Sequence, residues 1–244
     1  MIELFNAALM LNQSAMRGLR ESTDAVRRGL LIVLFVGVLV GAVQGASEII
    51  ASATPERTVA GVRAQVDAFV ESLTLGANSE QFQPVIQFVN ENEEAFYELL
   101  TELYSLPTAL PWGVQLFFRW LASVVSTPLN YLAWLLFTVI FTHIAARQLG
   151  GQGSIQQMLG LGALSVAPHA LDALTFIPAI GPTLRLIAWA WGLVILVVAT
   201  MIAHKLDSGR ATMAVLLYPL LFSLLGFLAF CGLLIFVAAL GPVA

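Results

Sequence analysis

Cysteine is nearly absent. Cys231 stands alone in a run of phenylalanine, leucine and alanine, so no intramolecular disulfide can form and no cysteine pair can hold a metal. Charge is scarce too: Asp, Glu, Lys and Arg make up 11% of the 244 residues, against roughly one quarter in soluble domains, while 59% are hydrophobic. With a mean hydropathy of +0.87, the chain reads as an integral membrane protein. Basic stripes are missing, which argues against nucleic acid as a partner. Gly-x-Ser-x-Gly, zinc-binding motifs and paired catalytic carboxylates are missing as well. No nucleophile with a base and an orienting group can be assembled, so a non-enzyme without cofactor or metal is expected.

What is present is a series of apolar runs near the length of about 20 residues that crosses a hydrocarbon core. The first follows Arg27 and Arg28, occupies residues 30–50 and reads as an uncleaved signal anchor, because 29 residues make a long leader. The second occupies 129–146. Residues 111–128 before it carry Arg119 and would overextend a single helix, so they are expected to lie apart at the interface, where Trp112 and Trp120 suit the headgroups. The third, fourth and fifth runs cover 155–177, 183–203 and 211–240. The expected fold is an all-α integral membrane protein with five transmembrane helices, in which 111–244 forms a four-span membrane domain.

Lysine and arginine set the orientation. With the N-terminus cytoplasmic, Arg17, Arg20, Arg27, Arg28, Arg147, Lys205 and Arg210 fall inside, and Arg57, Arg63, Arg119 and Arg185 fall outside or at the outer interface. Seven against four favours N-in, C-out in a cytoplasmic (inner) membrane. The 51–110 loop is then extracytoplasmic, and its nine acidic residues against two arginines account for the net acidity of the chain.

That loop is patterned as a helical hairpin. Thr54 and Pro55 can start a helix whose Val59, Val62, Val66, Phe69 and Leu73 recur at helical spacing until Gly76. A second helix is expected from about Pro84, with Val85, Phe88, Val89, Phe96, Leu99, Leu100 and Leu103 buried and Glu91, Glu93, Glu94 and Glu98 mostly outward as a solvated face. At the other end, residues 1–29 form a cytoplasmic amphipathic segment. Ile2, Phe5, Leu9, Met16 and Leu19 approximate one stripe, suited to a lipid surface or a partner.

Few motifs suggest chemistry. Gly150, Gly151, Gly153 and Ser154 mimic a phosphate loop, but no lysine follows; Ser154 and Gln157 instead make a capping box after a chain reversal. His143 and His204 are expected near the cytoplasmic ends of their spans and His169 near mid-membrane, an awkward disposition for one metal site. His169 and Asp172 are the candidate intramembrane polar site. Three apart beside Pro168, they either handle protons or substrate, or they satisfy a helix break by pairing with Ser165, a tryptophan indole or Arg185.

The run RQLGGQGSIQQMLGLGALSVAP (147–168), then FIPAIG (176–181) and LRLIAWAWGLVILVVATMIAHKLDSGRATMAVLL (184–217), resembles the membrane domain of bacterial Yip family proteins, relatives of the Ypt/Rab-interacting proteins. The resemblance rests on the Gly-Gly-x-Gly-Ser opening of a span, Pro168 within it, the turn at Pro178, and the turn formed by His204, Asp207, Ser208, Gly209, Arg210 and Ala211. It implies a five-span, non-enzymatic domain with a cytoplasmic N-terminus, here with 51–110 inserted. The expected role is a scaffold or accessory subunit that binds lipid and other integral membrane proteins or itself, motivated by Gly160, Gly162, Ala163 and Ala167 at helix-packing spacing. The alternative is a small proton- or solute-conducting transporter that uses the broken third span.

Overall fold

A computed structural model describes residues 1–51, 55–74, 79–106 and 110–239, and all the regular structure among them is helical. Among the described residues nine α-helices run in order: α1 (Ile2–Leu9), α2 (Gln13–Glu21), α3 (Ala25–Ala51), α4 (Pro55–Thr74), α5 (Ser79–Ser105), α6 (Trp112–Gln148), α7 (Ile155–Gly162), α8 (Gly181–His204) and α9 (Ser208–Ala239). A 3₁₀ segment, Ala163–Leu174, continues directly from α7. The chain divides into two compact units, 1–44 with 123–244, and 45–122.

Four helices among the described residues are long and apolar enough to cross a membrane: Ala25–Ile50, Gly113–Gln148, Gly181–His204 and Ser208–Gly232. The third expected span is not one of them, for a physical reason. Pro168 has no N–H and its ring crowds the preceding turn. The chain responds by leaving α geometry after eight residues and winding as 3₁₀ for twelve. Such runs seldom exceed four residues, and this one persists because it is buried: Ala163, Leu164, Ala167 and Pro168 lie in the interior of the larger unit. Its loose carbonyls find side chains. Ser165 Oγ donates to Gly162 O (2.7 Å), and Gln44 Nε2 and Thr175 Oγ1 both donate to Asp172 O (2.8 Å each).

Small residues let this segment sit among its neighbours. A Cβ on Gly160 would meet the Ala25 carbonyl oxygen at 2.8 Å, and one on Gly162 would meet Val139 at 2.8 Å. The stripe of small residues expected to receive a partner is therefore used inside the chain, and this corrects the motive first given for a scaffold.

Two further expectations change. Residues 111–128 are not a separate interfacial helix, because α6 runs unbroken through Pro128 for 37 residues. Gly37 in α3 makes this packing possible: a side chain there would strike the Pro128 ring. The N-terminal stripe is two helices rather than one. Leu11 turns the chain at φ 52° and Asn12 caps α2 by accepting from Ala15 N (3.2 Å). Ala8, Met16 and Leu19 are buried in the core with α7 and α8, and Trp191 Nε1 donates to Leu9 O (3.0 Å). This segment packs into its own protein.

The second unit contains α4 and α5. Pro55 opens α4 as expected, whereas α5 begins at Ser79 and carries Pro84 within its first two turns; Thr54, Gly76 and Leu240 lie outside the described residues. The hairpin buries Val59, Ile86 and Tyr97, and the Arg63 guanidinium caps the Tyr97 ring 4.5 Å from its centre while pairing with Glu93 (3.5 Å). Burial, then the Glu93 carboxylate, raises the Tyr97 phenol above its ordinary value. Phe69, Val85, Phe88, Phe96, Leu99 and Leu103 remain exposed, so much of the face expected to be buried is open.

Candidate functional site

The 3₁₀ winding assembles the first polar cluster. With three residues per turn, positions i and i+3 eclipse, which stacks His169 over Asp172 and brings His169 Nδ1 to 2.8 Å from Asp172 Oδ2. From α6, the Tyr131 hydroxyl donates to the same oxygen at 2.7 Å, and the Tyr131 and His169 rings lie 5.5 Å apart. Gln44 of α3 reaches Asp172 O and Thr175 Oγ1 (3.0 Å). Asp172 is 7% exposed, and its Oδ1 is buried without a hydrogen-bond partner among the described residues. A carboxylate that accepts from a phenol and an imidazole holds both rings in place. Because Nδ1 faces the carboxylate, it carries the proton and leaves the Nε2 lone pair unspent.

Sequence spacing brought out the His169–Asp172 pair but not its partners. Among the described residues Asp172 is bonded to Tyr131 and Gln44, and not to Ser165, an indole or Arg185. The available signal was a tyrosine and an amide within apolar runs, where polar groups need partners. A cavity of about 770 Å³ opens beside the pair, walled by Tyr131, Trp134, Arg185, Trp189, Gly192 and Tyr218.

The second cluster lies where α6 and α8 end. His143 Nδ1 and His204 Nε2 are 3.1 Å apart, and Gly153 N donates to His204 Nδ1 (3.2 Å). Because Nδ1 accepts that bond, neutral His204 carries its proton on Nε2 and donates to His143. Gly150 takes φ +93°, open only to glycine at little cost, and a Cβ on Gly151 would meet His204 Nδ1 at 2.7 Å. Gln152 N also donates to His204 O (3.0 Å). The glycine loop thus folds over the imidazole. Ser154 and Gln157 form the expected capping box.

The turn after α8 joins the same cluster. Lys205 adopts φ 56° as the left-handed cap of α8, and Arg210 Nη1 donates to Leu149 O (3.5 Å). Asp207 caps α9 by accepting from Arg210 N (3.0 Å), and this backbone N–H holds its carboxyl below the usual carboxylate range. Gly209 is exposed beside it, and Pro178 is exposed in the turn before α8. Two motifs more than 50 residues apart in sequence therefore form one junction, while His169 belongs to the other cluster.

A family model described as the Yip1 domain matches residues 9–230. The chain belongs to the Yip1 domain family. No curated protein and no solved structure matches it. The Yip1 match begins at residue 9, far upstream of the 147–217 stretch on which the resemblance rests, and it takes in both clusters and the cavity. Together with the apolar helices, it makes this Yip1 protein a multi-pass membrane protein in contact with lipid.

Proposed function

We propose that this Yip1 protein is a non-enzymatic scaffold or accessory subunit of a cytoplasmic membrane, with N-in, C-out topology and five crossings. The rise of the third segment supports the fifth crossing: eight α residues and twelve 3₁₀ residues extend about 12 Å and about 24 Å, together enough for a core of about 30 Å. With this orientation the α4–α5 hairpin lies outside.

The observation that carries the scaffold reading is the open apolar face of that hairpin. Phe88 is 67% exposed and Leu99 55%, on helices outside the four apolar spans. Each such side chain forgoes about 1.5–3 kcal/mol of burial, and contiguous apolar patches mark interaction sites. A partner protein or a second copy that covers Phe69, Phe88, Phe96 and Leu99 recovers that burial.

The transporter reading draws on His169 and Asp172 lining a cavity. Against it, transporter folds with broken spans pair two of them, and the 3₁₀ segment has no counterpart of its kind among the described residues.

Purification in mild detergent tests the scaffold. The wild type is expected as a stoichiometric complex or oligomer, and Phe88→Glu with Leu99→Glu is expected to release a monodisperse single chain. A wild type that is a lone monomer throughout would overturn the reading.

A further inference from the structure

The cavity beside the 3₁₀ segment holds polar groups that docking of a protein on the hairpin would leave unused. Arg185, one turn into α8, lines the cavity and makes no hydrogen bond or ion pair among the described residues, where its five N–H donors face no acceptor. His169 Nε2 keeps its lone pair with the Asp172 carboxylate behind it, and it would lie 3.6 Å from a Cβ on Gly192, a residue of the cavity wall. One cation and one anionic acceptor therefore face the same space.

The cavity also has a polarity gradient. Along α8 its wall runs from Arg185 through Trp189 to Leu193 and Leu196, a descent of about 16 Å from charge to pure hydrocarbon. On α6 it runs from Tyr131, bonded to Asp172, past Trp134 and Leu135 to Thr138, whose hydroxyl is satisfied by that of Tyr218 (3.2 Å). Charge near the end of a span and aliphatic side chains deeper in it follow the order of a lipid from headgroup to chain. The wall also carries exposed apolar side chains: Trp134 is 66% exposed and Leu186 63%. In the five-crossing topology proposed above, such side chains on α6 and α8 would face hydrocarbon. The volume, about 770 Å³, suits a headgroup with the first part of a chain.

We propose that this cavity binds one zwitterionic phospholipid with a primary-amine headgroup. Its phosphate meets Arg185, its ammonium donates to His169 Nε2 against the Asp172 charge, and one acyl chain lies along Trp189, Leu193 and Leu196. The amine must be primary because a quaternary ammonium has no N–H to donate. A purely anionic headgroup would place no cation against Asp172. The site shares no residue with the hairpin surface, so either can fail alone.

Native mass spectrometry of the delipidated full chain, offered equimolar phosphatidylethanolamine, phosphatidylcholine and phosphatidylglycerol with identical chains, tests the site. One phosphatidylethanolamine per chain is expected, favoured over the choline lipid by about tenfold, the factor one charge-assisted hydrogen bond supplies. Arg185→Gln, at an exposed position, should lower the occupancy by about the same factor, and Asp172→Asn should lower both zwitterionic lipids relative to phosphatidylglycerol. Should Asp172→Asn fail to fold, a phosphatidylethanolamine carrying a photoreactive chain decides on the wild type, with crosslinks expected at residues 189–196. Preference for phosphatidylglycerol, no retained lipid, or crosslinks elsewhere would overturn the proposal. So would displacement of the lipid by equal concentrations of soluble phosphoethanolamine, which would make the headgroup alone the ligand.

Discussion

At the scale of single residues, Asp172 is where the larger unit concentrates polar risk. A buried carboxylate is tolerable only when donors surround it, and here the donors come from three elements: Tyr131 of α6, His169 of the 3₁₀ segment itself and, through the backbone oxygen, Gln44 of α3. Tyr131→Phe removes one donor without changing shape. It is expected to destabilise the protein by about 1–3 kcal/mol, read as a lower thermal midpoint in detergent. An unchanged midpoint would mean that the phenol contributes nothing. The His169–Asp172 pair was legible in the sequence because three residues separate them. Tyr131 and Gln44 were not, because they lie 41 and 128 residues away and only packing brings them in.

At the scale of elements, glycines separate positions of tight contact from positions of open space. A Cβ on Gly153 would strike the Ala203 carbonyl, whereas at Gly18 of α2 nothing lies within 4 Å. Gly153→Ala is expected to cost about 1–3 kcal/mol through overpacking, and Gly18→Ala to add about 0.5–1 kcal/mol through the lower backbone entropy of alanine. Parallel melts of the two variants should move in opposite directions. The same element-level facts mark the limit of sequence reading. Apolar run length located α3, α8 and α9 well, because span length is set by the bilayer. Pro128 looked like a boundary but lies inside α6, since the space that receives it belongs to Gly37 on another helix. Pro168 looked like a kink and became a long 3₁₀ run, since burial and polar side chains there satisfy a winding that solvent would not support.

At the scale of the whole molecule, the proposed function rests on topology. In a Cys231→Ser background, Ser72→Cys in the hairpin and Ala179→Cys in the turn before α8 are expected to react with an impermeant maleimide from outside. Gln152→Cys, in the glycine loop, should react only after permeabilisation. Reaction of residues 152 and 179 from the same side would remove the fifth crossing. Reaction of Ser72→Cys only from inside would place the hairpin in the cytoplasm. The sequence carried this level through charge asymmetry alone. The junction of the glycine loop with the turn after α8 was visible only as two separate motifs, because nothing in their local spacing says that His204 joins them.

The winding of residues 163–174 also bears on membrane thickness. Twelve residues rise about 24 Å as 3₁₀ and about 18 Å as α-helix, so the same stretch differs by about 6 Å between the two forms, more than one α-turn. In the proposed five-crossing topology, the hydrocarbon depth that this segment matches is set by local winding and not by residue number. Hydrophobic mismatch costs fractions of a kcal/mol per ångström. A bilayer thin enough to favour the α form is then expected to pull His169 and Asp172 out of eclipse, so that lipid composition would act on the geometry of the pair.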